Sequence, residues 1–105
     1  MSVLAIFHYE VKPGRMNDFI AKLQKAAAPK FDCPVMPTRI RLYRSTVPGP
    51  DTGGVSLHIE YESMAAYGAR ADYENSNREW KELFAAAPDS PEKLVAVELL
   101  TELAP

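Results

Sequence analysis

The sequence predicts an α+β fold with the element order β-α-β-β-α-β, and three observations carry that prediction. Val3 to Val11 reads as a strand with apolar side chains on both faces, Val3, Ala5, Phe7 and Tyr9 on one and Leu4 and Ile6 on the other. Such a strand belongs in the middle of a sheet covered on both sides. Pro13 and Gly14 then stop the strand and turn the backbone sharply into an amphipathic helix. Further on, Val55, Leu57, Ile59 and Tyr61 alternate with Ser56, His58, Glu60 and Glu62, the period of a half-buried strand. With 105 residues, 47% apolar and 25% charged, the chain (1–105) is a single domain with room for one core.

The elements follow in order. The helix from about Arg15 to Ala28 carries Met16, Phe19, Ile20, Leu23 and Ala27 as one stripe, with Asn17, Asp18, Lys22, Gln24 and Lys25 on the wet side. Pro29 ends it, and Pro34 and Pro37 mark a connector. A second strand, about Thr38 to Val47, sets Ile40, Leu42, Tyr43 and Val47 among Arg39, Arg41 and Arg44. Pro48 to Gly54 reads as a loop, which makes strands two and three (Val55 to Glu62) a hairpin. Ser63 is a candidate N-cap for a helical region reaching about Ala87, interrupted near Asn75-Ser76-Asn77, where a second cap is available. Trp80, Leu83, Phe84 and Ala87 form the apolar face of its latter half; Pro88 and Pro91 close it. The last strand, about Leu94 to Leu103, is apolar on both sides.

This order is the split βαβ of ferredoxin-like folds, an antiparallel sheet with both helices on one face. Strands one and four carry apolar residues on both faces, yet two helices cover only one. A second copy of the same sheet is the simplest cover for the other. Withdrawing a few side chains such as Leu4 and Ile6 from water contributes roughly 1.5–3 kcal/mol each. The expectation is a homodimer whose two sheets pack face to face.

Composition narrows the function. A net charge of −2 argues against a nucleic-acid or anionic-membrane partner. No apolar run approaches the ~20 residues that cross a bilayer. Met1-Ser2-Val3-Leu4 opens no signal peptide, and Cys33 is alone, so the expected compartment is the cytoplasm. There is no glycine-rich phosphate or dinucleotide fingerprint, so no cofactor is expected.

The run Tyr9-Glu10-Val11-Lys12-Pro13-Gly14, with Phe19 in the helix after it, resembles the opening of NIPSNAP-like and antibiotic-biosynthesis-monooxygenase-like domains. Tyr61-Glu62-Ser63 leading to Asn77-Arg78-Glu79-Trp80 looks closer to the NIPSNAP side, although Phe7 and His8 stand where an arginine and a threonine usually precede the tyrosine. The resemblance implies a dimeric α+β barrel. It covers cofactor-free oxygenases, isomerases, cyclases and haem-binding proteins, and it carries over no shared catalytic motif.

Candidate site residues fall into groups. His8, His58 and Glu60 can share a face if strands one and three are antiparallel neighbours, giving two imidazoles and a carboxylate for acid–base work; their spacing does not suggest a metal. Their plainer role is as hydrogen-bonded wall residues. Arg39 and Arg41 share a face with Tyr43, with Arg44 on the other, and could clamp an acidic group, or simply guard an edge strand. Tyr67, Tyr73, Trp80 and Phe84, with Met64, could wall an aromatic pocket or form the core. Cys33 lacks an identifiable paired histidine and is read as inert.

Three readings follow. In an enzyme, His8 or His58 moves a proton, Tyr43 or Tyr67 polarises an oxygen, and Arg39 or Arg41, with Glu60, Tyr73 and Trp80, holds a small organic molecule. In a binding module the same cavity holds a ligand without turnover. In a structural dimer the helix faces or the 48–54 loop meet a partner.

Overall fold

The computed structural model describes residues 2–46 and 54–103. The elements are β1 (Val3–Val11), α1 (Met16–Ala26), a 3-10 turn (Pro29–Phe31), β2 (Arg39–Arg44), β3 (Val55–Tyr61), α2 (Met64–Ser76), α3 (Arg78–Leu83) and β4 (Glu92–Thr101). One antiparallel sheet has the order β2-β3-β1-β4, the ferredoxin-like arrangement expected. Val47 and the expected hairpin loop up to Gly53 lie outside the described residues; the pairing of β2 with β3 is present.

Local chemistry accounts for the breaks. Gly14 has φ +75°, a conformation that side-chain-bearing residues avoid, and it turns β1 towards α1. The Ser63 hydroxyl accepts from the Ala66 N–H and starts α2. Asn77 ends α2 and starts α3, its Oδ1 accepting from the Trp80 N–H at 2.9 Å. The helical region therefore divides where the sequence offers a second cap, but α3 stops at Leu83 rather than Ala87. The stripe of α1 is narrower than its periodicity indicates. Phe19 is fully buried and Met16 and Leu23 half-buried, while Ile20 lies on the wet side.

Register divides the sheet into two faces. Val3, Ala5, Phe7 and Tyr9 stand opposite Tyr61, Ile59, Leu57 and Val55, and this face looks to the helices. The helices touch it at separated points. Phe19 of α1 packs on Tyr9 with ring centroids 4.9 Å apart, and Tyr67 of α2 meets Tyr61 edge-on at 5.5 Å. Lys22 of α1 pairs with Glu92 of β4 at 2.9 Å, both side chains being almost out of water. The other face carries Leu4, Ile6 and His8, then Ser56, His58 and Glu60, then Arg39, Arg41 and Tyr43, with Ala96, Glu98 and Leu100 on the far strand. No helix among the described residues covers it. The ladder between β1 and β4 slips between His8 and Tyr9, leaving Val95 as the extra residue, a β-bulge. No helix among the described residues is long and apolar enough to cross a membrane.

Candidate functional site in the cavity beneath the helices

Because the helices rest on the sheet at separated points, the space between is open. A cavity of about 980 Å³ lies there. Its floor is Phe7, Leu57 and Ile59 with the edge-strand residues Ile40 and Leu42; Leu23, Trp80 and Phe84 form its roof. Strand alternation places the floor residues on one face. Helical spacing does the same for Trp80 and Phe84, whose rings lie 4.9 Å apart.

Besides Lys12, Asp32, Ser90, Glu92 and Lys93, the wall carries the ion pair of Arg70 and Glu74. Arg70 is 3% exposed, and its Nη1 donates to the Phe31 carbonyl oxygen at 2.6 Å while Nε donates to Glu74 at 2.8 Å. The guanidinium lies against Tyr73 and Trp80, 4.8 and 4.9 Å from their ring centroids. Nη1 also lies 3.4 Å from the Met36 sulfur and 3.5 Å from Cys33 Sγ. Arg70 thus ties α2 to the Pro29–Phe31 turn and to the loop after it. Glu74 lines the cavity, and its burial raises the carboxyl above the usual range against the opposing pull of Arg70. Cys33 donates its thiol to the Val35 carbonyl oxygen at 2.8 Å, a structural role.

Two tyrosines complete the wall. Tyr9 and Tyr61 are 8% and 3% exposed, and both line the cavity. Burial raises the Tyr9 hydroxyl to about 12, helped by Glu92 and Glu74. Burial, with Glu74, raises Tyr61 as well, against the pull of Arg70.

The residues proposed from sequence are split between the two sides of the sheet. His8, His58, Glu60, Arg39, Arg41 and Tyr43 do share one face, but it is the uncovered one. There His8 Nε2 bonds Glu98 at 2.6 Å, His58 bonds Ser56 at 3.1 Å and stacks edge-on with Tyr43, and Glu60 lies beside Thr38. His8, His58 and Glu60 are each taken up by a neighbour instead of converging on one another. Of the helix-side residues, Trp80 lines the cavity. Tyr73 is taken up by the Lys30 carbonyl oxygen and Asn77, and Tyr67 backs Tyr61. Arg70, Glu74, Tyr9 and Tyr61 were not singled out from sequence. The Arg70–Glu74 spacing of i,i+4 was the available signal for the first two. Among the described residues, no group of three His, Cys, Asp or Glu could hold a metal ion.

No protein-family model matches the chain, and no curated protein matches it. Solved structures do. A putative antibiotic biosynthesis monooxygenase from Bordetella bronchiseptica is similar at 22% identity and TM-score 0.65, with 98% of each chain covered. Rv0793 from Mycobacterium tuberculosis is similar at 20% identity and TM-score 0.67, covering 100% of this chain and 98% of that one. An uncharacterised NIPSNAP-like domain protein from Burkholderia xenovorans is similar at 16% identity and TM-score 0.67, covering 98% and 86%. At these identities the likeness is one of fold: the chain has the ferredoxin-like α+β fold found in antibiotic-biosynthesis-monooxygenase-like and NIPSNAP structures.

Proposed function

We propose that this protein is a homodimer that binds a small, mostly apolar organic molecule in the cavity beneath its helices. The cavity itself carries the reading. About 980 Å³ of space, floored by Phe7, Leu57 and Ile59 and roofed by Trp80 and Phe84, is within the range of small-molecule sites. Glu74 is the group placed to exchange a proton with the occupant, since burial brings its carboxyl closer to neutrality than an exposed one. The likeness to the putative antibiotic biosynthesis monooxygenase of Bordetella bronchiseptica favours such chemistry over passive binding.

The uncovered sheet face supports the dimer. It joins apolar Leu4, Ile6 and Leu100 to basic Arg39 and Arg41 and acidic Glu60 and Glu98, so a second copy can match it in both apolarity and charge. Native mass spectrometry of gently purified protein tests both halves. The expected mass is two chains plus a small organic molecule, with the added mass lost on Leu42→Trp, which fills the cavity from an edge strand. A monomer at micromolar concentration contradicts the dimer. Added mass that survives Leu42→Trp, or a bare dimer that takes up no naphthalene-sized probe, contradicts the cavity.

A further inference from the structure

The cavity holds two phenols whose protons have no acceptor. Tyr9 and Tyr61 are each more than nine-tenths buried and line the space, yet neither hydroxyl has a hydrogen-bond partner among the described residues. No fully enclosed side-chain nitrogen or oxygen among those residues is left without a partner, so each hydroxyl must open onto accessible space, and the space beside both is the cavity. A ligand that excludes water from this space without offering an acceptor strands each hydroxyl at a cost, whereas one that supplies an oxygen keeps it satisfied.

The charges around them define what the partner is. Arg70 is committed to the Phe31 carbonyl oxygen and to Glu74, and Lys22 to Glu92. Lys12, at the exposed margin, is committed to the Pro88 carbonyl oxygen. Lys93 also lines the space, exposed on the edge strand β4 and without a hydrogen-bond or ion-pair partner among the described residues. An anion therefore finds an uncommitted lining cation only there, whereas beside Tyr61 it meets the Glu74 carboxyl with Arg70 already committed. Both phenols stay protonated far above neutral pH because burial holds the proton on. They offer hydrogens and want acceptors. Along the strands Tyr9 and Tyr61 are six register positions apart, roughly 20 Å at ~3.3 Å per residue, so the two donors mark different ends of the space.

Resting on the cavity reading above, we propose that the cavity selects an uncharged apolar molecule bearing a carbonyl-type oxygen, which accepts a hydrogen bond from Tyr9 or Tyr61. The corresponding carboxylate is rejected. The selectivity lies in two hydroxyls that the apolar walls leave without any other acceptor.

The test compares three probes of one skeleton, 2-ethylnaphthalene, 2-acetylnaphthalene and 2-naphthoate, by Trp80 fluorescence titration of the full chain. The ketone should bind about three- to tenfold more tightly than the hydrocarbon, the value of one buried hydrogen bond, and the carboxylate most weakly. Tyr9→Phe or Tyr61→Phe, whichever removes the donor used, should erase the ketone's advantage and leave the hydrocarbon's affinity unchanged. Equal binding of ketone and hydrocarbon, a ketone advantage that survives both variants and their combination, or tightest binding of the carboxylate overturns the proposal while leaving the cavity intact. Failure of all three probes to bind overturns the cavity reading and this proposal together.

Discussion

Replacing Arg70 with alanine tests whether one buried cation holds the roof of the cavity in place. The side chain is 3% exposed and bonds the Phe31 carbonyl oxygen at 2.6 Å and Glu74 at 2.8 Å. Removing it strands a carbonyl oxygen, at about 1–3 kcal/mol. It also leaves a buried carboxyl unpaired; breaking such a pair costs about 3–5 kcal/mol where both partners are fully buried. The Glu74 side chain is 28% exposed, so water and a proton can relieve part of that cost. The stacking on Tyr73 and Trp80 adds about 0.5–1 kcal/mol for each ring. These losses overlap, and we expect Arg70→Ala to destabilise by about 3 kcal/mol in all, a fall of roughly 2 M in the urea midpoint followed by Trp80 fluorescence. Glu74→Gln keeps an oxygen for Arg70 Nε and should cost about 1 kcal/mol. An Arg70→Ala loss under 1 kcal/mol, or a loss no larger than that of Glu74→Gln, refutes the claim that Arg70 ties the turn to α2.

Four further outcomes follow from the same geometry. The Tyr9 hydroxyl is raised in the folded state from 10 to about 12, so its contribution is complete below pH 10 and is lost as pH rises through 12. Tyr9→Phe should therefore flatten the alkaline fall in stability over that window by an order of 2–3 kcal/mol, read as unfolding free energy against pH. Asn77→Ala removes the cap of α3 and should cost about 1 kcal/mol by denaturant titration; an unchanged midpoint contradicts the capping role. Gly14→Ala meets no atom within 4 Å but must adopt φ +75°, and should cost about 1 kcal/mol; a neutral result means that the turn relaxes. Leu100→Glu puts a charge on the uncovered face and should convert the proposed dimer to monomer in sedimentation equilibrium, whereas an intact dimer excludes that face as the interface.

Much of the fold was legible because its punctuation is local. Pro13-Gly14, Ser63 and Asn77 each act within one turn of chain, and the alternation of β3 needs only its own residues to be read. Two-faced apolarity in β1 correctly marked a central strand, since β1 lies between β3 and β4. The site was less legible for a geometric reason. His8, His58, Arg41 and Tyr43 do share a face, but which side of the sheet the helices take depends on long-range packing that no local pattern records. Tyr9 and Tyr61 read as core residues because their rings are core; only the space left where α1 and α2 stand off the sheet shows that both also line a cavity. Nothing local in the helical sequence distinguishes Arg70 from a solvated charge, and only the stack of Tyr73 and Trp80 and the carbonyl oxygen of Phe31 reveal its burial.

The central claim is that small molecules enter the helix side of the sheet and not the face that carries the two histidines. An NMR titration of the isotope-labelled protein with 2-acetylnaphthalene tests it most directly. The account predicts saturable shifts at Phe7, Leu57, Trp80 and Phe84, with His8, His58 and Arg41 unmoved. Shifts gathered on His8, His58 and Arg41 instead, with the cavity residues still, would contradict it.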